Sequence, residues 1–323
     1  MPPSYGTKDY WDARFQHEDN YEWLLPADSL NAVIRVALSS RHQSQGANGS
    51  CAPQILHIGC GSSDLSFQLR DLVASPRQVT NVDYSATAVQ KCRQREAAAL
   101  SATTPDGSGG GGGSDVGMRW ETADLLDAES IARLAGGRVC QSGSPSSADG
   151  GEDGPFYFDV VADKSTCDAI SITEDIPVRL PFISPRDAQK QTGNDDNDEK
   201  TERKTELVQP VPLLAVHMAV LTPPRTGRWC AISYSDDRFS FLDSDNVSGG
   251  GGGSKKVVGD EGVHGELLER GFPDPRRFWR VERRERVTVA PSGTTTGSGG
   301  HVVHQPEIAY WLWVLGRTEE VVL

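Results

Sequence analysis

The feature that most constrains the fold is a short apolar strand that runs directly into a tight glycine turn. Residues 54–58 read QILHI, and Gly59 and Gly61 follow them almost at once. Neither glycine carries a Cβ atom, so the backbone can turn sharply there and approach a ligand closely. Residues 62–73 then show leucines at helical spacing. A strand, a glycine turn and a helix in this order predict the first βα unit of an open α/β sheet.

The same alternation continues along the chain. Helical spacing is also found in three other segments, at 26–41, 85–100 and 211–222. Apolar strand-like runs occur at 78–83, 118–124, 156–165 and 228–235. Two late β-rich runs, 278–290 and 307–318, have only a Gly/Thr/Ser loop between them, which predicts an antiparallel pair. We therefore predict an α/β fold: a Rossmann-like, seven-stranded, mainly parallel sheet with flanking helices and an antiparallel C-terminal strand pair.

Four polar stretches interrupt this pattern. They are rich in Gly, Ser or charged residues and cannot repay the entropy of ordering. We expect a single domain over 1–323 with flexible inserts at 101–117, 141–154, 184–206 and 244–254. The GGGGGS runs in two of these inserts are typical of natural low complexity and of engineered linkers alike.

The net charge and the lack of a long apolar run restrict the kinds of partner that the chain is expected to bind. The formal net charge is −13, and an acidic surface repels phosphate, so we expect no stable nucleic-acid complex. A basic protein partner fits the sign, although solubility alone would also explain it. No apolar run approaches the roughly 20 residues of a membrane span. We expect a monomer that does not bind membranes.

The cysteines and histidines suggest neither a metal site nor a disulfide framework. The six cysteines are scattered and include no Cys-x-x-Cys pair, which is typical of a reducing compartment. Without an apolar signal core at the N-terminus, the cytoplasm is the expected location, and the nucleus is not excluded. His301 and His304 have no Cys or carboxylate partner at ligand spacing, so no metal is expected.

Acidic residues end the successive predicted strands. In open α/β sheets, ligands bind beyond the carboxyl ends of the strands. Asp83 lies 22 positions after Gly61, a spacing at which a carboxylate can accept hydrogen bonds from ribose hydroxyls. Tyr84 can then lie against an adenine ring. Asp124 can accept from the adenine amino group while Leu125 packs on the ring. Both aspartates can also cap the helices that follow them.

The fourth predicted strand ends in Asp163 and Lys164, where a reactive group would face its acceptor. The glycine turn is not a full dinucleotide fingerprint, because Asp64 stands where that pattern needs a third Gly or Ala. This difference argues against a nicotinamide-dependent oxidoreductase, which is kept as an alternative. Four successive predicted strands thus end in the glycine turn, in Asp83, in Asp124 and in Asp163-Lys164. This order indicates a nucleoside-binding edge.

The chain resembles the eukaryotic methyltransferase-like proteins that methylate lysines of translation elongation factor 1-alpha. The similarity extends, with gaps, over roughly the first half of the chain and lies in YGTKDYWDARF (5–15), YEW (21–23), LHIGCGSSDLS (56–66), VTNVDYS (79–85), MRWETADLLD (118–127) and FDVVADKSTCDAI (158–170). The chain departs from the family at Ser165, where the family has Gly, and at Ser62, where it often has Asn.

The resemblance implies a site for S-adenosyl-L-methionine. An N-terminal lid within residues 1–25 would cover the cofactor with Trp11, Arg14, Phe15 and Trp23, since a sulfonium cation is attracted to aromatic faces. The alternative is that the tryptophans simply cover the sheet edge as core. The rest of the implied pocket consists of Gly59, Asp83, Tyr84, Asp124, Leu125 and Lys164.

The resemblance also implies a protein-lysine N-methyltransferase that acts on a translation factor such as elongation factor 1-alpha. Asp163 is the candidate for orienting the acceptor amine; its alternative roles are a partner for Lys164 or a backbone cap. A methyltransferase for a small molecule or RNA, and an inactive scaffold that only binds the cofactor, stay open as alternatives.

Overall fold

The computed structural model describes residues 3–44, 52–102, 117–136, 156–188, 204–243, 263, 265–289, 295–296, 302–303 and 308–322. Of the four expected inserts, 141–154 and 244–254 lie wholly outside these residues, and so do 103–116 of the first and 189–203 of the third. His301 and His304 also lie outside them.

Seven strands of the described chain form one sheet with the order β3-β2-β1-β4-β7-β11-β8. The strands are β1 Ile55–Ile58, β2 Val79–Asp83, β3 Arg119–Thr122, β4 Val160–Lys164, β7 Arg228–Ser233, β8 Trp279–Val289 and β11 Ile308–Arg317. The first five pair in parallel, and β11 pairs antiparallel with both β7 and β8. The predicted fold class, including the antiparallel C-terminal pair, is confirmed.

Helices cover both faces of this sheet. They are α1 Lys8–His17, α2 Asn31–Ser44, α3 Leu65–Arg70, α4 Ala86–Ala102, α5 Ala128–Ala135, α6 Thr166–Ile170, α7 Pro185–Ala188, α8 Pro210–Leu221 and α9 Gly265–Glu269. One hydrophobic core lies between the sheet and α5 and α8, and a second lies between the sheet and α2, α3 and α4. The strands supply both cores by alternation: Val161 faces the first, and Val160 and Ala162 face the second.

Some boundaries differ from the sequence expectation. A 3₁₀ turn over Ala27–Leu30 precedes α2, whereas the periodicity predicts one helix over 26–41. Part of the expected third insert is regular: α7 lies at its start, and β6 (Lys204–Val208) begins at its end. An antiparallel hairpin joins β6 to β5 (Ile176–Leu180), and the sequence analysis does not predict it. Short strands β9 (Thr295–Thr296) and β10 (Val302–Val303) also pair.

Candidate active site

A cavity of about 810 Å³ lies at the carboxyl edge of the sheet. Its walls come from the segments that follow β1, β2, β3, β4 and β7, and its roof comes from the N-terminal segment 3–24. This is the edge at which α/β sheets bind ligands. Ten of the predicted site residues line it together: Trp11, Phe15, Trp23, Gly59, Gly61, Asp83, Tyr84, Asp124, Leu125 and Lys164.

Both glycines of the turn occupy backbone conformations that favour glycine. Gly59 has φ +54° and Gly61 has φ +49°. A Cβ atom on Gly59 would collide with the side chain of Thr166, whose Oγ1 donates a 2.8 Å hydrogen bond to the carbonyl of Ile58. A Cβ atom on Gly61 would lie 3.2 Å from the ring of Phe15. The turn is therefore packed from below by the β4–α6 loop and from above by the N-terminal segment.

The carboxylate of Asp83 joins two neighbouring strand ends. Its Oδ2 accepts a 2.9 Å bond from the Gly61 N–H, and its Oδ1 accepts a 2.8 Å bond from the Ser85 N–H. The side chain is 5% exposed, and burial raises the pKa of this carboxyl to about 6, with the nearby Asp12 adding to the rise. Each oxygen keeps a further lone pair for a donor in the cavity. Asp83 thus caps the turn before α4 and lines the cavity at the same time.

The third strand end presents a polar and an apolar group side by side. Asp124 is exposed, and its Oδ1 accepts a 2.9 Å bond from the Leu126 N–H. The cap of α5 is Asp127, not Asp124. Leu125 is buried, and its carbonyl is 2.8 Å from Nδ1 of His217 on α8. Burial lowers the pKa of His217 to about 4. A neutral imidazole therefore fixes the backbone beneath the leucine.

The roof is an aromatic cluster. The indole of Trp11 stacks on Phe15 with ring centres 5.6 Å apart, and it meets Trp23 edge-to-face at 5.6 Å. Tyr5 contacts both tryptophans and accepts a 2.6 Å bond from the Trp11 indole N–H at its carbonyl. The rings of Trp11, Phe15 and Trp23 line the cavity at the edge of the sheet.

Arg14 is not among the residues that line the cavity. Its guanidinium lies 4.7 Å from the ring centre of Trp23 and 4.8 Å from that of Tyr21, and it pairs with Glu18. The structure therefore places Arg14 behind the lining rings, where a cation–π contact supports the roof.

Lys164 lines the cavity, and its ammonium group holds the roof in place. Nζ bonds to a carboxylate oxygen of Glu22, to the carbonyl of Trp23 at 3.2 Å and to the carbonyl of Leu25 at 3.1 Å. Glu22 also accepts from the Ser63 hydroxyl at 2.9 Å and from the Asp64 N–H at 2.6 Å. The Lys164 side chain is 3% exposed, and burial lowers its pKa while Glu22 acts to raise it. The pair thus links strand β4, the glycine turn and the N-terminal segment.

Asp163 does not line the cavity, which corrects its expected role in orienting an acceptor amine. It is fully buried, and its Oδ1 accepts from the N–H groups of Thr166 at 2.8 Å and Cys167 at 3.3 Å. Its Oδ2 accepts a 3.2 Å bond from the Trp229 indole. Neighbouring residues of a strand face opposite sides, so Lys164 faces the roof while Asp163 faces the core. Of the alternatives weighed for Asp163, the backbone cap is the one that the structure contains.

A second carboxylate of the same segment lines the cavity instead. Asp168 accepts hydrogen bonds from the Ser165 hydroxyl at 3.1 Å and the Tyr234 N–H at 3.1 Å, and it also bonds to Ser233. Arg238 pairs with it at 3.0 Å. Burial raises the pKa of Asp168, and these donors act to lower it. The carboxylate therefore ties the loop after β4 to the loop after β7, and it supports Ser165 at φ +72°.

One buried polar atom in the cavity wall has no partner. Ser62 follows the glycine turn, lines the cavity and is 4% exposed. Its hydroxyl makes no hydrogen bond in the described structure. An unpaired buried hydroxyl is unfavourable unless a ligand satisfies it. The same cavity wall contains the two glycines of the turn, a buried carboxylate and aromatic rings. Together with the unpaired hydroxyl, these groups suit a polar nucleoside that carries a cationic group.

Sequence reasoning did not assign Glu22, Ser62 and Asp168 to the site. All three stand inside the motifs that carry the family resemblance, in YEW, LHIGCGSSDLS and DKSTCDAI. The motifs therefore contain the signal that could have assigned these three residues to the site. Their contacts depend on the folded arrangement of the chain. Among the described residues, no group of three or more His, Cys, Asp or Glu side chains could hold a metal ion. No described helix has the length and apolar character needed to cross a membrane.

Comparison with known proteins gives consistent results. The model of a methyltransferase domain family matches residues 52–102. "Methyltransferase srdJ" of Neurospora crassa is 30% identical over 173 residues, which are 54% of this chain and 57% of that protein. An "eEF1A lysine and N-terminal methyltransferase" of Danio rerio is 30% identical over 147 residues, 43% of this chain and 19% of that protein. The chain therefore covers less than two thirds of the length of either curated relative.

Among solved structures, a magnesium protoporphyrin IX methyltransferase from Synechocystis PCC 6803 aligns over 98% of this chain and 97% of its own, at 11% identity and a TM-score of 0.35. The matched family segment contains β1, the glycine turn and β2, whose carboxyl ends form part of the cavity wall. The matched family segment and both curated relatives show that the chain is similar to methyltransferases, and its sheet order is that of a Rossmann-like α/β fold.

Proposed function

We propose that this chain is an S-adenosylmethionine-dependent methyltransferase that methylates a lysine side chain of a protein, of the translation-factor type. The observation that supports it most is the cavity itself. One continuous space at the carboxyl edge combines the turn at Gly59, the carboxylate of Asp83 and the aromatic roof.

The residues that would hold the cofactor follow from the geometry of the wall. Asp83 would accept from the ribose hydroxyls, and Leu125 would pack on the adenine beside Asp124. The unpaired hydroxyl of Ser62 is free to bond to a polar group of the ligand. Trp11 and Trp23 would face the cation. The cofactor would supply an activated methyl group for transfer to the acceptor amine.

The chain's own contribution is placement and exclusion of water. Orienting two reactants can contribute roughly 7–11 kcal/mol to lowering a barrier. The roof over the cavity also provides a largely apolar surrounding, which lowers the pKa of a lysine amine by desolvation and favours its neutral, nucleophilic form. Asp168 keeps the acceptor side of the cavity in shape through its bonds to both loops.

Support for a lysine of a translation factor comes from the curated Danio rerio relative and from the motif resemblance. That relative is 30% identical over 147 residues, 43% of this chain, and the resemblance includes both the YEW segment and the DKSTCDAI motif. A basic protein partner also agrees with the net charge of −13.

Two measurements test the proposal. Calorimetric titration with S-adenosylhomocysteine should show saturable binding to one site. Incubation with cofactor labelled at the methyl group and a cell extract should label protein bands, and Lys→Arg at the labelled position should abolish the signal. Label found in RNA or in the solvent extract would replace the lysine proposal with another acceptor class. Binding of the product without turnover on any fraction would indicate an inactive scaffold.

A further inference from the structure

The cavity is wider than the nucleoside edge requires. It extends from the end of β3 to the end of β7 across β2, β1 and β4. With neighbouring strands about 4.8 Å apart, this distance is about 19 Å. The cofactor residues Asp83, Asp124 and Leu125 follow β2 and β3, Gly59 and Ser62 follow β1, and Lys164 ends β4. The part of the cavity beyond Lys164, lined by residues that follow α6 and β7, is left for a second ligand, and we call it the acceptor arm.

The acceptor arm has apolar walls at its mouth. Ile172 and Ile176 follow α6, and Tyr234 follows β7. Ile172 is 52% exposed and Tyr234 is 54% exposed, although both line the cavity. Tyr5 of the roof also lines it, and Gly6 packs on the Ile172 backbone so closely that a Cβ atom would lie 2.9 Å from the Ile172 carbonyl oxygen. Such walls suit the aliphatic stem of a long side chain.

The same mouth carries negative charge. Glu174 and Asp175 lie between the lining residues Thr173 and Ile176, and both are exposed. We call these two the acidic rim. Across the mouth, Tyr234 is followed by two further aspartates, of which Asp236 pairs with Arg284 at 3.5 Å.

The cations near the acceptor arm are already paired within the fold. Lys8 lines the cavity and pairs with Asp12. Arg238 pairs with Asp168. Within the described residues, neither carboxylate of the acidic rim forms an ion pair, so their charge faces solvent.

We propose that the acidic rim is a specificity element that selects an acceptor lysine within a cationic stretch of a folded protein. This inference rests on the proposed function and adds the immediate charge context of the acceptor. The methyl-accepting side chain passes between Ile172 and Tyr234, while neighbouring Lys or Arg residues of the substrate contact Glu174 and Asp175. Phosphate groups of a nucleic acid would meet repulsion at the same place.

The expected size of the effect is moderate. An exposed pair of opposite charges is worth about 0.2–1 kcal/mol, so losing two such pairs should raise KM about 2- to 30-fold. The acidic rim does not touch the reacting atoms, so kcat should change less than twofold. Since the pairs are exposed, salt should weaken them: KM of the wild type should rise from 50 to 300 mM NaCl more steeply than KM of a variant without the acidic rim.

The experiment compares two double variants of the full chain with the same change of charge. E174Q/D175N removes the acidic rim, and D28N/E269Q removes two exposed carboxylates elsewhere. The acceptor probe is recombinant elongation factor 1-alpha, and its methylation is followed with labelled cofactor at two salt concentrations. Calorimetry with S-adenosylhomocysteine shows whether each variant still folds and binds.

We expect a higher KM and a smaller salt dependence for E174Q/D175N only, with unchanged binding of S-adenosylhomocysteine. If the wild type methylates the probe and E174Q/D175N has the same KM as D28N/E269Q, the proposed role of the acidic rim is overturned. The proposed function then stays intact. If S-adenosylhomocysteine binds but the wild type methylates neither the probe nor any protein of a cell extract, the proposed function falls and the acidic rim with it. Label in RNA would have the same consequence.

Discussion

The substitution Glu22→Gln tests whether the N-terminal roof is held by one partly buried ion pair. The Glu22 carboxylate bonds to Lys164, to the Ser63 hydroxyl and to the Asp64 N–H. Glutamine has nearly the same shape, so packing is kept. The change removes the negative charge and puts an amide in place of one carboxylate oxygen.

The magnitude follows from what Lys164 loses. A hydrogen bond to a charged group contributes about 1.5–3 kcal/mol. The Glu22 side chain is 27% exposed, so solvent screens part of the interaction and the loss should be about 2 kcal/mol. Two carbonyls still accept from the ammonium group, which limits the damage. Since 1.36 kcal/mol corresponds to a factor of ten, a loss of about 2 kcal/mol from the closed roof weakens cofactor binding at most about 30-fold.

Calorimetry with S-adenosylhomocysteine measures this change directly, and thermal denaturation of the free protein should show a drop of a few degrees. Glu319→Gln is the matched control, because Glu319 pairs with Arg225 in an exposed ion pair, with side chains 71% and 75% exposed. We expect the control to bind as the wild type does. An unchanged Kd for Glu22→Gln would refute the reasoning. Tighter binding would also refute it, since it would mean that Glu22 competes with the ligand for Ser63 and Asp64.

Three further predictions concern single side chains. Asp83→Ala should weaken binding of S-adenosylhomocysteine about 10- to 100-fold. Burial raises the pKa of Asp83 to about 6, and the ribose hydroxyls need the ionised carboxylate, so the affinity of the wild type should fall as the pH drops below about 6. Calorimetry from pH 5 to 8 checks both expectations. Asp163→Asn should lower the free energy of unfolding in urea by about 1–3 kcal/mol, because an amide N–H would face the Trp229 indole N–H. A Kd for S-adenosylhomocysteine more than threefold higher would contradict a purely structural role. Ser165→Ala should be less stable than Ser165→Gly by about 1–2 kcal/mol, because the position has φ +72°; equal urea midpoints would contradict this.

The buried carboxylates and histidines should give stability opposite pH dependences. Burial raises the pKa of Asp163 to about 7, so its native state binds a proton that the unfolded chain has already lost, and stability falls as the pH rises from about 4 to 7. His57 is fully buried and its pKa is lowered to about 3, so stability falls as the pH drops below about 6.5.

Local patterns were enough for the sheet because each strand carries its own signal. The runs that became β1, β2 and β4 are apolar, short and followed by turn residues, and parallel strands place their carboxyl ends at one edge. The hairpin of β5 and β6 carries no such signal. Pro177 lies within β5, Lys204 begins β6 among charged residues, and 23 residues separate the two strands. Their pairing is a property of the folded chain and not of either segment.

The same distinction explains which site residues could be predicted. Residues at strand ends, such as Asp83 and Leu125, reach the cavity because topology brings strand ends together. Asp163 and Lys164 are neighbours in one strand, and alternation allows only one of them to face the cavity side. The sequence named both and could not decide between them. The orientation follows from the core, where Trp229 lies on the Asp163 side and Leu25 on the Lys164 side.

The roof and the sheet edge stabilise each other through Lys164. An ammonium group buried to this degree is unfavourable unless its protons have partners, and its three acceptors come from residues 22–25. Opening the N-terminal segment would therefore break the ion pair with Glu22 and replace the three acceptors with water. The glycine turn would lose the carboxylate that accepts from Ser63 and Asp64. Because each part makes the other favourable, the free protein should keep its cavity already formed, and cofactor binding should require little rearrangement of the sheet edge.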